Sequence, residues 1–93
     1  MRRHLLVTND FPPKVGGIQS YLWELWRRLP AGDIAVHTTP HAGAAVFDAD
    51  QAFTVTRSRE SVLLPTSTVV RRVRNLAERQ GAELVVWDPA LPV

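Results

Sequence analysis

The chain has 93 residues, 45% of them hydrophobic and 22% charged, with eleven basic residues, nine acidic ones and a formal net charge of +2. Ten of those eleven basic residues are arginine, and a balance of only +2 with no recognisable nucleic-acid motif argues against a nucleic-acid partner. Cysteine is absent, which excludes disulfides, thiolate zinc sites and a thiol nucleophile.

The first element is a short apolar strand, His4-Leu5-Leu6-Val7, and it ends at Thr8-Asn9-Asp10-Phe11-Pro12-Pro13, where two prolines lack the amide a strand needs. Gly16 and Gly17 close this loop. Ile18, Tyr21, Leu22, Leu25, Trp26 and Leu29 then recur at the spacing of a single α-helical face, and the helix should stop near Leu29, before Pro30 and Gly32. Ile34 to Thr38 reads as a second strand, residues 40–51 as a loop of small and acidic residues, and Phe53 to Thr56 as a third strand. Pro65-Thr66-Ser67 opens a second helix, with Thr66 or Ser67 able to supply the capping oxygen. Its apolar face is Val69, Val70, Val73, Leu76 and Ala77, its polar face carries Arg71, Arg72, Arg74, Glu78 and Arg79, and Gly81 stands where a helix-ending glycine belongs. Leu84 to Trp87 makes a fourth strand, followed only by residues 88–93. Strands alternating with helices predict an α/β fold with a parallel, Rossmann-like sheet. With no helix to cover the last strand, the chain reads as one partial domain, cut short and marginal in stability by itself.

The loop at residues 9–17 is the natural place for chemistry, because ligands of open α/β sheets bind beyond the carboxyl ends of the strands. A helix N-terminus offers unpaired amides and partial positive charge to a phosphate, and glycine removes the Cβ that would hold an oxygen away. Neither a G-x-G-x-x-G fingerprint nor a G-K-[ST] loop occurs, and a bare glycine pair is also compatible with a plain turn.

The full string Asn9-Asp10-Phe11-Pro12-Pro13-x-x-Gly16-Gly17-Ile18-Gln19-Ser20-Tyr21 resembles the opening of family 4 retaining glycosyltransferases of the GT-B fold. It is most similar to the mannosyltransferases of phosphatidyl-myo-inositol mannoside synthesis. Leu64-Pro65-Thr66 before a helix and Val86-Trp87-Asp88 at a strand end follow in the same order. The resemblance implies the first half of an acceptor-side N-terminal domain, with the donor-binding domain lying outside residues 1–93. It places Gly16 and Gly17 beside the diphosphate of a sugar nucleotide, with GDP-mannose the expected donor. It places Gln19 at the head group of a phosphatidylinositol-type lipid acceptor, with Asp10 and Lys14 sharing that cleft. From the residues themselves, Gln19 also reads as an exposed helix residue and Asp10 as a turn residue bonded to its own backbone.

The family's basic pair and carboxylate for the donor belong to the second domain, and its loop histidine has no match in His4, His37 or His41. No catalytic residue, metal ligand or cofactor is therefore assigned, and the 93-residue chain is expected to transfer no sugar alone. The alternative is a non-catalytic α/β nucleotide-binding or interaction module. Trp23 beside Arg27, together with the arginines of the second helix, leaves peripheral contact with a membrane open, against the plainer reading of a solvated basic face. The N-terminus carries no signal-peptide pattern, so the expected location is cytoplasmic, at most peripheral at the inner face of the plasma membrane.

Overall fold

A computed structural model describes residues 2–88. The expected closing stretch, residues 89–93, lies outside the described residues. Four strands, β1 (His4–Val7), β2 (Ile34–Thr38), β3 (Thr54–Arg57) and β4 (Leu84–Trp87), form one sheet in the order β3-β2-β1-β4, every pair parallel. Three helices, α1 (Gly17–Trp26), α2 (Ala44–Ala49) and α3 (Ser67–Gln80), supply the crossovers. The Rossmann-like α/β arrangement expected from the sequence is present.

β1 and β2 are buried along their whole length, as central strands of a parallel sheet covered on both faces must be. Alternation along the strands then sorts their residues into two cores. Leu5, Val7 and Ala35 point to one face, where Leu63, Val69, Val73, Leu76 and Ala77 pack on them from α3 and the segment before it. Leu6, Ile34 and Val36 point to the other, against Phe11 and Phe53 and the half-buried Leu22, Trp23 and Trp26 of α1 and Phe47 of α2. The order β1-β2-β3 steps outward with α1 and α2 on one face, and α3 returns across the opposite face to place β4 on the far side of β1. The chain therefore reverses its direction of travel between β1 and β4, and in such sheets that is where the carboxyl ends open a crevice.

The buried stripe of α1 keeps Leu22 and Trp26 of the expected face, with Leu29 just past the helix end, but is otherwise rotated. Ile18, Tyr21 and Leu25 are exposed, while Gln19, Leu22, Trp23 and Trp26 face the sheet. Both sets repeat at helical spacing one position apart, so periodicity alone does not choose between them. The tryptophans decide it: they bring the largest apolar area, and each indole N–H finds a partner, Trp23 Nε1 donating to Gln51 Oε1 at 2.9 Å and Trp26 Nε1 to His4 Nε2 at 2.9 Å. Trp23, expected off the apolar face, is thus a packing residue with the Arg27 guanidinium 4.8 Å over its ring. The helix also ends at Trp26, three residues early, because Arg28 and Leu29 bond back three residues to Leu25 and Trp26 in a tightened turn before Pro30.

Residues 40–51, expected as a loop, contain α2. Six residues are too few to show a periodic stripe, and Val46 is exposed while Phe47 packs on the core, edge-to-face with Phe11 at 6.1 Å. β3 begins at Thr54, one residue later than expected. In α3 the expected cap is Thr66, whose Oγ1 accepts from the Val69 amide at 3.3 Å, and Gly81 ends the helix in the left-handed region at φ 68°.

Candidate functional site

The segment after β1 is held from several sides. Thr8 continues the sheet, its amide donating to His37 O at 3.1 Å. Its hydroxyl donates to Asp88 Oδ2 at 3.0 Å and accepts from the Asp10 amide at 3.0 Å. The first bond ties the carboxyl end of β1 to that of β4, and the second makes the local turn. Asn9 acts like a strand residue in its side chain, donating to Leu63 O at 3.1 Å and accepting from the Leu63 amide at 2.6 Å. Phe11 fills the α1-side core. Arg57, at the end of β3, donates to Pro12 O at 2.8 Å, to Thr39 O at 3.0 Å and to both carboxylate oxygens of Asp48. The loop is therefore tied to β4, to the segment before α3 and to β3.

Within that frame the structure brings together Asp10, Lys14, Gly16 and Gln19. Asp10 is fully buried; its Oδ1 accepts from Gln19 Nε2 at 3.1 Å and lies 3.8 Å from Lys14 Nζ. Its other oxygen is buried without a hydrogen-bond partner among the described residues, as is the Thr38 hydroxyl. Burial pushes the Asp10 carboxyl above the ordinary aspartate range; the Lys14 charge pulls it down and Asp88 adds to the rise. The local-turn reading of Asp10 gives way here to Thr8, which makes the turn bond, and the exposed reading of Gln19 gives way to a side chain that is 3% exposed.

Gly16 explains how Gln19 gets inside. A Cβ on Gly16 would run into the Gln19 amide, so only glycine lets that side chain fold back beneath the loop. Gly17, the first residue of α1, has nothing within 4 Å of where its Cβ would stand. No side chain caps α1, in contrast to α3, and its first backbone bond runs from the Ser20 amide to Gly16 O at 3.2 Å. The amides of Gly17, Ile18 and Gln19 precede that bond and have no intrahelical acceptor.

Two of the three histidines are packing residues, and the third is exposed. His4 Nδ1 pairs with Arg2 O at 3.1 Å and Nε2 accepts from Trp26 Nε1 at 2.9 Å. His37 Nδ1 pairs with Thr56 Oγ1 at 2.8 Å, and burial, reinforced by the Arg72 charge, lowers its pKa. His41 is exposed and bonds to Ala42 O. Among the described residues no group of His, Asp and Glu is gathered to hold a metal ion, and no helix is long and apolar enough to cross a membrane. Sequence reasoning missed Arg57; its place at the carboxyl end of a strand was the available signal.

The chain is 43% identical to a GDP-mannose-dependent alpha-(1-6)-phosphatidylinositol monomannoside mannosyltransferase of Mycobacterium tuberculosis, over 100% of this chain and 26% of that protein. It is similar to these mannosyltransferases over nearly its whole length. A protein of the same description from Mycolicibacterium smegmatis is 37% identical over 96% of this chain and 24% of its own length. A Corynebacterium glutamicum relative, described as acting on the monoacylated monomannoside, is 34% identical over 99% of this chain and 25% of its own. The chain thus spans about a quarter of the length of the mannosyltransferases it matches. No protein-family model matches it.

Proposed function

We propose that this stretch is the acceptor-side N-terminal part of a transferase that moves mannose from GDP-mannose to a phosphatidylinositol-type lipid. The observation that carries the reading is the uncapped start of α1, where three amides without intrahelical acceptors follow the glycine pair beside the crevice between β1 and β4. The names of the mannosyltransferase relatives supply the donor and acceptor class.

In this reading the amides at Gly17 and beyond receive the departing diphosphate, whose charge the helix start stabilises as the sugar bond breaks. Gly16 acts indirectly, by admitting Gln19 to the Asp10 carboxylate. Asp10, Lys14 and Gln19 form the acceptor-side floor, braced by Thr8 and Asp88. Peripheral membrane contact at the inner face of the plasma membrane belongs to the same proposal, supported by the exposed Val15, Ile18, Tyr21 and Leu25 rather than by Trp23.

The test is mannosyl transfer to phosphatidylinositol monomannoside in vesicles, measured for the complete polypeptide, its Gly17→Val variant and the 93-residue chain. A branched side chain at Gly17 blocks the diphosphate and weakens charge-assisted bonds worth about 1.5–3 kcal/mol each, so kcat/KM should fall at least ~10-fold with circular dichroism unchanged. The 93-residue chain alone should show no turnover. Unchanged donor affinity and turnover in Gly17→Val would reduce the glycine loop to a turn and remove the phosphate reading.

A further inference from the structure

Pro12 and Pro13 have no amide to donate, so this stretch of the loop after β1 is held through a carbonyl and needs a donor from elsewhere. That donor is the Arg57 guanidinium, 2.8 Å from Pro12 O. Arg57 is the last residue of β3 and shares the parity of Val55, so its side chain leaves the strand on the face that carries α1 and α2. There it forks onto Asp48 of α2, Nε to Oδ2 at 3.2 Å and Nη2 to Oδ1 at 2.7 Å, and Nη1 donates to Thr39 O at 3.0 Å. Four of the five N–H groups of the guanidinium are thereby engaged, and the side chain is 13% exposed.

α2 addresses the same loop a second time. Phe47, the residue before Asp48, stands edge-to-face with Phe11, and Phe11 directly precedes Pro12. Gln51, just past α2, accepts from the Trp23 indole of α1 at 2.9 Å, so the chain on the far side of the glycine pair is braced from the same place. Beyond Pro12 the loop opens: Val15 is 95% exposed, and nothing lies within 4 Å of a Cβ on Gly17. Two packed rings leave a backbone free to pivot, whereas a hydrogen bond to one carbonyl fixes its direction. Only a planar fork reaches a carboxylate and two carbonyls in different directions at once; an ammonium on a flexible stem does not.

We propose that Arg57 is a positioning residue, whose bond to Pro12 O sets where the glycine loop and the first amides of α1 stand relative to the reacting diphosphate. Its part in transfer rests on the function proposed above; its hold on the loop rests on the Arg57 bonds alone. Charge on the departing diphosphate develops in the transition state, so a displaced loop lowers kcat more than it raises the KM for GDP-mannose.

Hydrogen–deuterium exchange and steady-state mannosyl transfer, both on the complete polypeptide, test this with Arg57→Gln. The bonded amides at the two ends of the loop, Asp10 onto Thr8 Oγ1 and Ser20 onto Gly16 O, should exchange at least ~10-fold faster while those of α3 do not change. The kcat should fall at least ~10-fold with the KM for GDP-mannose within ~2-fold and one donor still bound per chain. Asp48→Asn, which leaves the bond to Pro12 in place, should lower kcat less than ~3-fold. Should Arg57→Gln fail to fold, Arg57→Lys keeps the charge against Asp48 and carries the same test, with an expected fall of at least ~3-fold. Unchanged exchange over residues 9–21, or faster exchange with kcat intact, would overturn the proposal. So would a fall in kcat matched by lost donor-binding stoichiometry, which marks unfolding, or an equal loss in Asp48→Asn, which marks a plain brace between α2 and β3. A wild-type polypeptide that transfers no mannose would instead sink the function reading, and the exchange measurement would still decide whether Arg57 holds the loop.

Discussion

The two glycines of the loop are adjacent in sequence and have different reasons to be glycine. At Gly16 the reason is internal: the Gln19 amide occupies the space of a Cβ. Gly16→Ala should push Gln19 off the buried Asp10 oxygen, leaving polar groups unsatisfied at a cost of about 1–3 kcal/mol. At Gly17 the protein offers open space, and its backbone is helical. Gly17→Ala should therefore leave stability within about 0.5 kcal/mol of wild type or raise it through better helix propensity. Thermal unfolding of the two variants side by side reads the difference, and equal effects would mean that Gln19 finds another place. The sequence marked both residues through one resemblance; it could not separate them, because the clash at Gly16 depends on a rotamer chosen by the Asp10 carboxylate nine residues away.

Between the elements, the two longer helices begin in opposite ways. α3 starts at Thr66, whose hydroxyl takes the Val69 amide. α1 starts at Gly16 with no side-chain acceptor, no acidic residue in its first turn and no basic residue in its last. A helix built only for packing gains from a cap, and α3 shows the ordinary solution. Thr66→Ala should cost about 1 kcal/mol, seen as a melting temperature lower by roughly 4–8 °C for a domain this size. A shift below about 1 °C would show that packing on Val69 and Val73, not the cap, holds the first turn. The α3 boundaries were readable because cap, apolar stripe and terminal glycine all agreed. The α1 face was not, since two stripes fit one sequence and the choice lay with indole partners at His4 and Gln51 on other elements.

Across the whole molecule the sheet is asymmetric. β3 and β4 are its edges, and β4 leaves Leu84 and Val85 partly exposed beside a groove of about 380 Å³ lined by residues including Val70, Val73, Ala77, Val85 and Trp87. A right-handed crossover continuing outward from β4 would seat its helix in that groove, beside α3. With the groove open and the edge amides of β4 unpaired among the described residues, the 93-residue chain alone should be marginal and should self-associate. Sedimentation velocity should show concentration-dependent association that Val85→Lys reduces, with unfolding of the wild-type chain below about 60 °C. A stable monomer melting above that temperature would contradict the marginal-stability argument, and association unmoved by Val85→Lys would place the contact elsewhere.

The sequence by itself determined the parallel α/β plan, all four strands to within a residue, the limits of α3 and the position of the glycine loop after β1. Those follow from local periodicity, proline and glycine punctuation and capping oxygens, which neighbouring residues express without help. Tertiary structure alone decided which stripe of α1 is buried, that residues 44–49 form a helix, that Gln19 turns inward to Asp10, and that Arg57 ties β3 to Asp48 and to the loop after β1. Each of these depends on side chains brought together from separate elements, where desolvation and the satisfaction of buried donors choose among arrangements that spacing along the chain leaves equal.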